Sequence, residues 1–251
     1  MNEAHSVRDR LIVALDQPEL APALAEVDRI GNSIRWYKVG LQLFARAGRD
    51  AVLALAERNK RVFLDLKLHD IPATVEKAVR ALEGLPVSLL TLHAAGGPAM
   101  IAAAAKAARA LDAASETGRP RVLAVTMLTS LDGTEIPEVW NPETSLEEKV
   151  LGLARLARDA GADGVVASPK ELAALRGALS APFLIVTPGI RGPGEAAHDQ
   201  KRTLSLPEAF ARGADYVVVG RPILEASDPK AAVAAFEASV AAPLPPERTN
   251  A

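Results

Sequence analysis

Eight short apolar runs, rich in β-branched residues, recur along the chain. They are "LIVALD" from Leu11, "WYKVG" from Trp36, "VFLDLK" from Val62, "LLTLHA" from Leu89, "RVLAVTML" from Arg121, "GVVASP" from Gly164, "FLIVTPG" from Phe183 and "YVVVGRPI" from Tyr216. Each is nearly continuous in hydrophobicity, the pattern of a strand buried on both faces. Helical periodicity fills the gaps. Phe44, Ala47, Ala51 and Leu55 fall at spacings of three and four, which predicts one apolar helix face. Leu146, Val150, Leu153, Ala157 and Ala160 repeat that pattern. The second helix opens with Ser145 and Glu148, a capping-box spacing, and should stop at Gly161.

Strand and helix alternate eight times, which predicts parallel βα units. "AGADGVVASP" from Ala160 and "RGADYVVVGRP" from Arg212 share Gly-Ala-Asp-x-Val-Val, each leaving a helix and entering a strand. Repetition of one unit fits an α/β fold of the (β/α)8, or TIM barrel, type. An open doubly wound sheet is the alternative. No G-x-G-x-x-G follows the first strand, which weakens its dinucleotide-binding form. No linker divides the chain. Residues 1–251 are therefore expected to form one catalytic domain, ordered over about 11–240, with a short N-terminal arm and a Pro-rich C-terminal tail.

Composition narrows the classes. The chain has 251 residues, 49% hydrophobic and 24% charged, with formal net charge −2, enough apolar material for a large core. The near-neutral balance gives no electrostatic case for nucleic acid or membrane. Absence of cysteine excludes disulfides, thiolate nucleophiles and Cys-based zinc sites. "MNEAHSVRDR" has no signal-peptide core, and no apolar run reaches about 18 residues, so a cytoplasmic protein is expected.

In such a barrel, chemistry gathers at the C-terminal strand ends. Those ends carry Asp16, Lys38, Asp65 with Lys67, His93, Thr129 with Ser130, Ser168, "TPGIR" and "GRP". The stretch "FLDLKLHDIP", Phe63 to Pro72, turns unlike charges toward the interior. Strand alternation points Asp65 and Lys67 the same way, and Asp70 lies just beyond, at the next helix start. A structural ion-pair network, or an N-cap role for Asp70, would explain one such charge. Several charges converging in one mouth favour a working site, because unpaired buried charge is costly.

"TPGIRGPG", Thr187 to Gly194, and "VVGRPI", Val218 to Ile223, follow the seventh and eighth strands. That is the usual phosphate position in these barrels, and Arg191 and Arg221 can supply charge-assisted bonds. Either segment alone would read as loop punctuation. Ile190 to about Leu204 has no clear strand or helix pattern and reads as a lid, with Gln200, Lys201 and Arg202 able to reach an anion. A second long connection starts at Ser130, where Trp140 is either a packing anchor or a ligand contact. His5, His69, His93 and His198 show no short metal spacing, and His69 and His93 are expected to be hydrogen-bonded structural residues. A Mg²⁺ site from Asp16, Asp65 and Asp70 is opposed by Lys38 and Lys67, which already offset those charges.

On these residues the chain resembles the orotidine 5′-phosphate decarboxylase family, from "VALD" to "VVGRPI". "FLDLKLHDIP" is similar to the family's Asp-x-Lys-x-x-Asp signature, and "KVG", "TMLTS", "VTPGIR", "DQKR" and "GRP" follow in the family's order. Ala73 departs from the family's common Asn after "DIP", and His198 from the small or amide residue before "DQKR". The resemblance implies a cofactor-free homodimer that converts orotidine 5′-phosphate to UMP. It assigns Asp65, Lys67 and Lys38 to one subunit's site, with Asp70 and Thr74 reaching the neighbouring subunit's site and Ile71 among the substrate-binding residues. Asp16 and Lys38 would hold the ribose hydroxyls, and Thr129 and Ser130 would lie along ribose and pyrimidine. Arg191, Gln200, Gly220 and Arg221 would bind phosphate, with Pro188 in the same substrate-binding set and Gln200 also bridging to the base. Lys67 would stabilise and then protonate a C6 carbanion, with Asp65 facing the departing carboxylate. The rivals are a Mg²⁺-dependent sugar-phosphate decarboxylase or aldolase of the same superfamily, which would place an acid where Lys38 stands; a Schiff-base aldolase, whose free amine the neighbouring carboxylates disfavour; and a non-catalytic phosphate-ligand sensor.

Overall fold

The structure, a computed structural model, describes residues 6–111, 118–131, 140, 143–192 and 204–241. All eight apolar runs are strands: β1 (Leu11–Leu15), β2 (Trp36–Gly40), β3 (Arg61–Leu68), β4 (Val87–His93), β5 (Arg121–Val125), β6 (Gly164–Val166), β7 (Leu184–Thr187) and β8 (Tyr216–Val219). Each pairs in parallel with its sequence neighbours, and β8 closes on β1 with Leu11 opposite Val217. The sheet is thus a closed (β/α)8 barrel, and the open-sheet alternative falls. Around it lie α1 (Val7–Arg10), α2 (Leu20–Ile30), α3 (Leu41–Ala47), α4 (Arg49–Glu57), α5 (Pro72–Arg80), α6 (Gly97–Ala110), α7 (Leu146–Asp159), α8 (Leu172–Ala178), α9 (Leu206–Ala211), α10 (Arg221–Leu224) and α11 (Pro229–Ala241). Among the described residues no helix is long and apolar enough to cross a membrane.

Strand alternation divides the core in two. Leu11, Val13, Tyr37, Val39, Leu64, Leu90 and Leu92 face outward and pack under the helices. Ile12, Ala14, Trp36, Phe63, Leu89, Leu123, Leu184, Val186 and Val218 fill the barrel interior. Following the inward rows toward the C-terminal end, the apolar series becomes polar. Ile12 and Ala14 lead to Asp16, Trp36 to Lys38, Phe63 to Asp65, and Leu89 to Thr91 and His93. The same pleat that builds the plug therefore carries the charges to the mouth.

Two expectations are corrected. The single apolar helix face from Phe44 to Leu55 belongs to two helices, α3 and α4, because Gly48 between them adopts φ 55° and ψ −132°. That conformation is open to glycine and breaks the helical path. The segment from Ile190 to Leu204 is patterned at its ends: Ile190–Arg191 and Leu204–Ser205 form a short parallel pair. The α7 expectation holds, with the Ser145–Glu148 capping box formed and Gly161 just past the helix at φ 90°.

The Gly-Ala-Asp echo is one device used twice. Asp163 accepts from the Val122 N–H at 2.8 Å and pairs with Arg119 at 2.6 Å. Asp215 accepts from the Ile185 N–H at 2.7 Å and pairs with Arg176 at 2.6 Å. Each carboxylate ties the start of its own strand to the start of the preceding one. Asp163→Ala leaves the Val122 N–H buried without an acceptor and should cost about 1–3 kcal/mol. Thermal denaturation should show Tm falling by roughly 2–4 °C per kcal/mol. Asp163→Asn, which keeps an acceptor, should lose less. Equal losses for the two variants would show that the carbonyl acceptor is not what matters.

Candidate active site at the barrel mouth

Four side chains from the first three strands form a chain of alternating charge. The Lys38 ammonium donates to Asp16 Oδ1 at 3.1 Å and lies 3.7 Å from Asp65 Oδ2. The Lys67 ammonium donates to both Asp65 oxygens at 2.8 Å. The middle of this chain is the most buried: the Asp65 and Lys38 side chains are 11% and 13% exposed, against 31% for Lys67 and 65% for Asp16 at its ends. A carboxylate as buried as Asp65 carries a desolvation cost of several kcal/mol, which its two lysines offset. Gly40 gives this array its room. A Cβ there would lie 2.9 Å from Lys38 Nζ and 3.5 Å from Asp16 Oδ1.

Simple alternation does not deliver Lys67. Leu64 pairs with Leu90 and Leu68 with Leu92, so Asp65, Leu66 and Lys67 lie opposite Thr91 alone. The strand bulges there, and Lys67 adopts φ 50°. For a non-glycine residue that conformation costs about 1–3 kcal/mol, and such strain concentrates at functional sites. The two charged groups still meet, but through a bulge rather than a regular pleat.

Thr91 is the residue the sequence reading missed. It is fully buried; its hydroxyl accepts from the Lys67 N–H at 2.9 Å and donates to Asp65 Oδ1 at 2.9 Å. The available signal was a hydroxyl in the middle of "LLTLHA", on an inward row. Next to it, the rings of His69 and His93 face each other with centroids 5.5 Å apart. The side-chain hydrogen bonds expected for both do not form among the described residues. Burial holds the His93 imidazole below its usual pKa, and the nearby His69 and Lys67 push the same way against Asp65.

The other expected residues divide by place. Asp70, Ile71 and Thr74 sit at the start of α5, all exposed, Ile71 by 66%. Asp70 does not join the charged chain; its carboxylate accepts from the adjacent Ile71 N–H. Thr129 and Ser130 occupy the turn after β5. Pro188 and Arg191 follow β7, and Arg191 Nε is buried without a hydrogen-bond partner among the described residues. Gly220 caps α10, and Arg221 is its first residue. Gln200, Lys201, Arg202 and His198 lie outside the described residues, as does most of the connection after Ser130. Trp140 packs against the outer core. Among the described residues, no group of three or more His, Cys, Asp or Glu is placed to hold a metal ion.

The model of the Orotidine 5′-phosphate decarboxylase / HUMPS family matches residues 9–236. The chain belongs to this family. It is 49% identical over 233 residues to the orotidine 5′-phosphate decarboxylase of Moorella thermoacetica, covering 93% of this chain and 92% of that one. It is 46% identical over 235 residues to that of Rhodopseudomonas palustris, covering 94% and 95%. The crystal structure of orotidine 5′-phosphate decarboxylase from Lactobacillus acidophilus superposes with a TM-score of 0.78 at 38% identity, covering 93% of this chain and all of that one. Membership in the orotidine 5′-phosphate decarboxylase / HUMPS family thus agrees with the barrel and with the Asp-x-Lys-x-x-Asp stretch at the third strand end.

A pH dependence follows from His93. Because its folded pKa is lowered, the unfolded chain binds the proton first as pH falls below about 6.5. Stability should decline across that window and gain nothing from His93 above it. The difference in Tm between wild type and His93→Gln, followed from pH 8 to pH 5, isolates the contribution. It should be flat above about 6.5 and should shift in favour of the variant below. A difference independent of pH would contradict the neutral His93.

Proposed function

We propose that the protein decarboxylates orotidine 5′-phosphate to UMP, the last step of de novo pyrimidine synthesis, as one catalytic unit. The observation that carries this reading is the Lys67 ammonium held against Asp65 at the mouth, in a chain whose relatives are named for that reaction. The C6–carboxylate bond breaks, CO₂ departs, and the electron pair stays on C6 in the ring plane. The pyrimidine π system cannot absorb that pair. Lys67⁺ stabilises it and then donates the proton that forms the C6–H bond. Asp65 faces the leaving carboxylate, and Lys38 completes the alternating charges. Asp16 and Lys38 hold the ribose hydroxyls, with Thr129 and Ser130 along ribose and base.

Phosphate binds beyond β7 and β8, at Arg191, Gly220 and Arg221 with Pro188 and Gln200. The buried Arg191 Nε, without a hydrogen-bond partner among the described residues, supports this end. Asp70, Ile71 and Thr74 complete the site of a second subunit. In support, Asp70 takes no part in its own chain's array, and Ile71 beside it is two-thirds exposed. The sugar-phosphate reading has less support, since the lysine Lys38, not an acid, stands toward the end of β2.

With EDTA present, the protein should consume orotidine 5′-phosphate, followed by ultraviolet absorbance. Lys67→Ala should lose at least about 10²-fold in turnover. No consumption by the wild type would overturn the activity, and a Lys67→Ala variant with full turnover would overturn the proton donor.

Sharing of the site is tested by mixing. Lys67→Ala and Asp70→Ala are each expected to be inactive. After subunit exchange in equal amounts, half the dimers are mixed and each has one intact site of two. About a quarter of wild-type activity should return. No recovery after proven exchange would place both residues within one chain's site.

A further inference from the structure

We infer that Thr91 is a positioning residue, one that sets the geometry of the Asp65–Lys67 pair without touching the substrate. The inference rests on the reading of Lys67 as the reacting group. Three residues of β3, Asp65, Leu66 and Lys67, face the single residue Thr91 on β4. Within that gap the regular ladder has no place for the Lys67 N–H. The Thr91 hydroxyl accepts it at 2.9 Å and in the same stroke donates to Asp65 Oδ1 at 2.9 Å. One oxygen thus bonds the backbone of the lysine and the carboxylate of its partner. It is fully buried, so water cannot substitute for it.

The consequence is a closed loop of contacts. The Lys67 ammonium reaches both Asp65 oxygens, Asp65 accepts from Thr91, and Thr91 accepts from the Lys67 backbone. The strained φ of 50° at Lys67 is held by that loop. Without the hydroxyl, the bulge can relax toward a common backbone region, and the ammonium leaves its place over the carboxylate. Misplacement of a reacting group by about 1 Å can cost about 10²-fold in rate. Thr91 is also an inward residue at the barrel rim, so its removal does not open the outer core.

The test compares Thr91→Val, which keeps shape and loses the hydroxyl, with Thr91→Ser, which keeps the hydroxyl. Thr91→Val should lower kcat for orotidine 5′-phosphate by about 10–100-fold with KM within about threefold. Thr91→Ser should stay within about threefold of wild type in both. A merely structural threonine would lower Tm in both variants and leave kcat of the folded protein unchanged. The crystal structure of Thr91→Val provides a readout independent of activity. Lys67 should leave positive φ, and its ammonium should move away from the position 2.8 Å from Asp65. If Thr91→Val does not fold, Thr91→Ala is read in the same way. A wild type inactive on orotidine 5′-phosphate would overturn the proposed function, while the crystal structure would still decide the positioning role. A Thr91→Val variant that retains the Lys67 geometry, or wild-type kcat, overturns the inference.

Discussion

The contact between the Lys67 ammonium and the Asp65 carboxylate is the constraint around which the mouth is arranged. Two opposite charges at 2.8 Å, with Asp65 almost removed from solvent, have to be held against competing water. The protein holds them with a bulged strand end, a buried threonine and a second lysine. Each of these is costly or unusual alone. A positive φ at lysine, a threonine inside a barrel and a charged row above an apolar plug become mutually consistent once the pair is taken as their purpose.

The barrel makes this possible through its pleat. Inward rows carry Ile12, Trp36, Phe63 and Leu89 at the closed end and Asp16, Lys38, Asp65 and Thr91 at the open one. The apolar plug lowers the dielectric response beneath the charges, which strengthens their interaction. Outward rows anchor the same strands under the helices, so the charged ends are fixed by burial on both faces. The Gly-Ala-Asp devices at Asp163 and Asp215 brace the opposite side of the sheet, between β5 and β6 and between β7 and β8.

Much of this was legible in the chain. The eight strands announced themselves because burial on both faces leaves no polar alternation to confuse them. Lys38, Asp65 and Lys67 were legible because charges are rare at the ends of such runs. The bulge was not, since Asp-x-Lys satisfies a regular pleat as readily as a distorted one. The break at Gly48 was hidden because the apolar spacing of Phe44, Ala47, Ala51 and Leu55 runs through it, while the φ of one glycine is a local backbone choice. The pairing of Ile190–Arg191 with Leu204–Ser205 spans too few residues to leave a periodic trace. Thr91 lay in plain view as a hydroxyl in an apolar strand, but its two partners are set by a register shift that no spacing encodes.

The central claim is that a positioned Lys67 ammonium stabilises and protonates a C6 carbanion. The reverse of protonation tests it without the carboxylate or any release of CO₂. UMP incubated with the protein in D₂O, and followed by proton NMR at C6, should exchange its C6 hydrogen for deuterium. Lys67→Ala should abolish that exchange while UMP still binds. Exchange at the wild-type rate in Lys67→Ala, with UMP bound, would contradict the account.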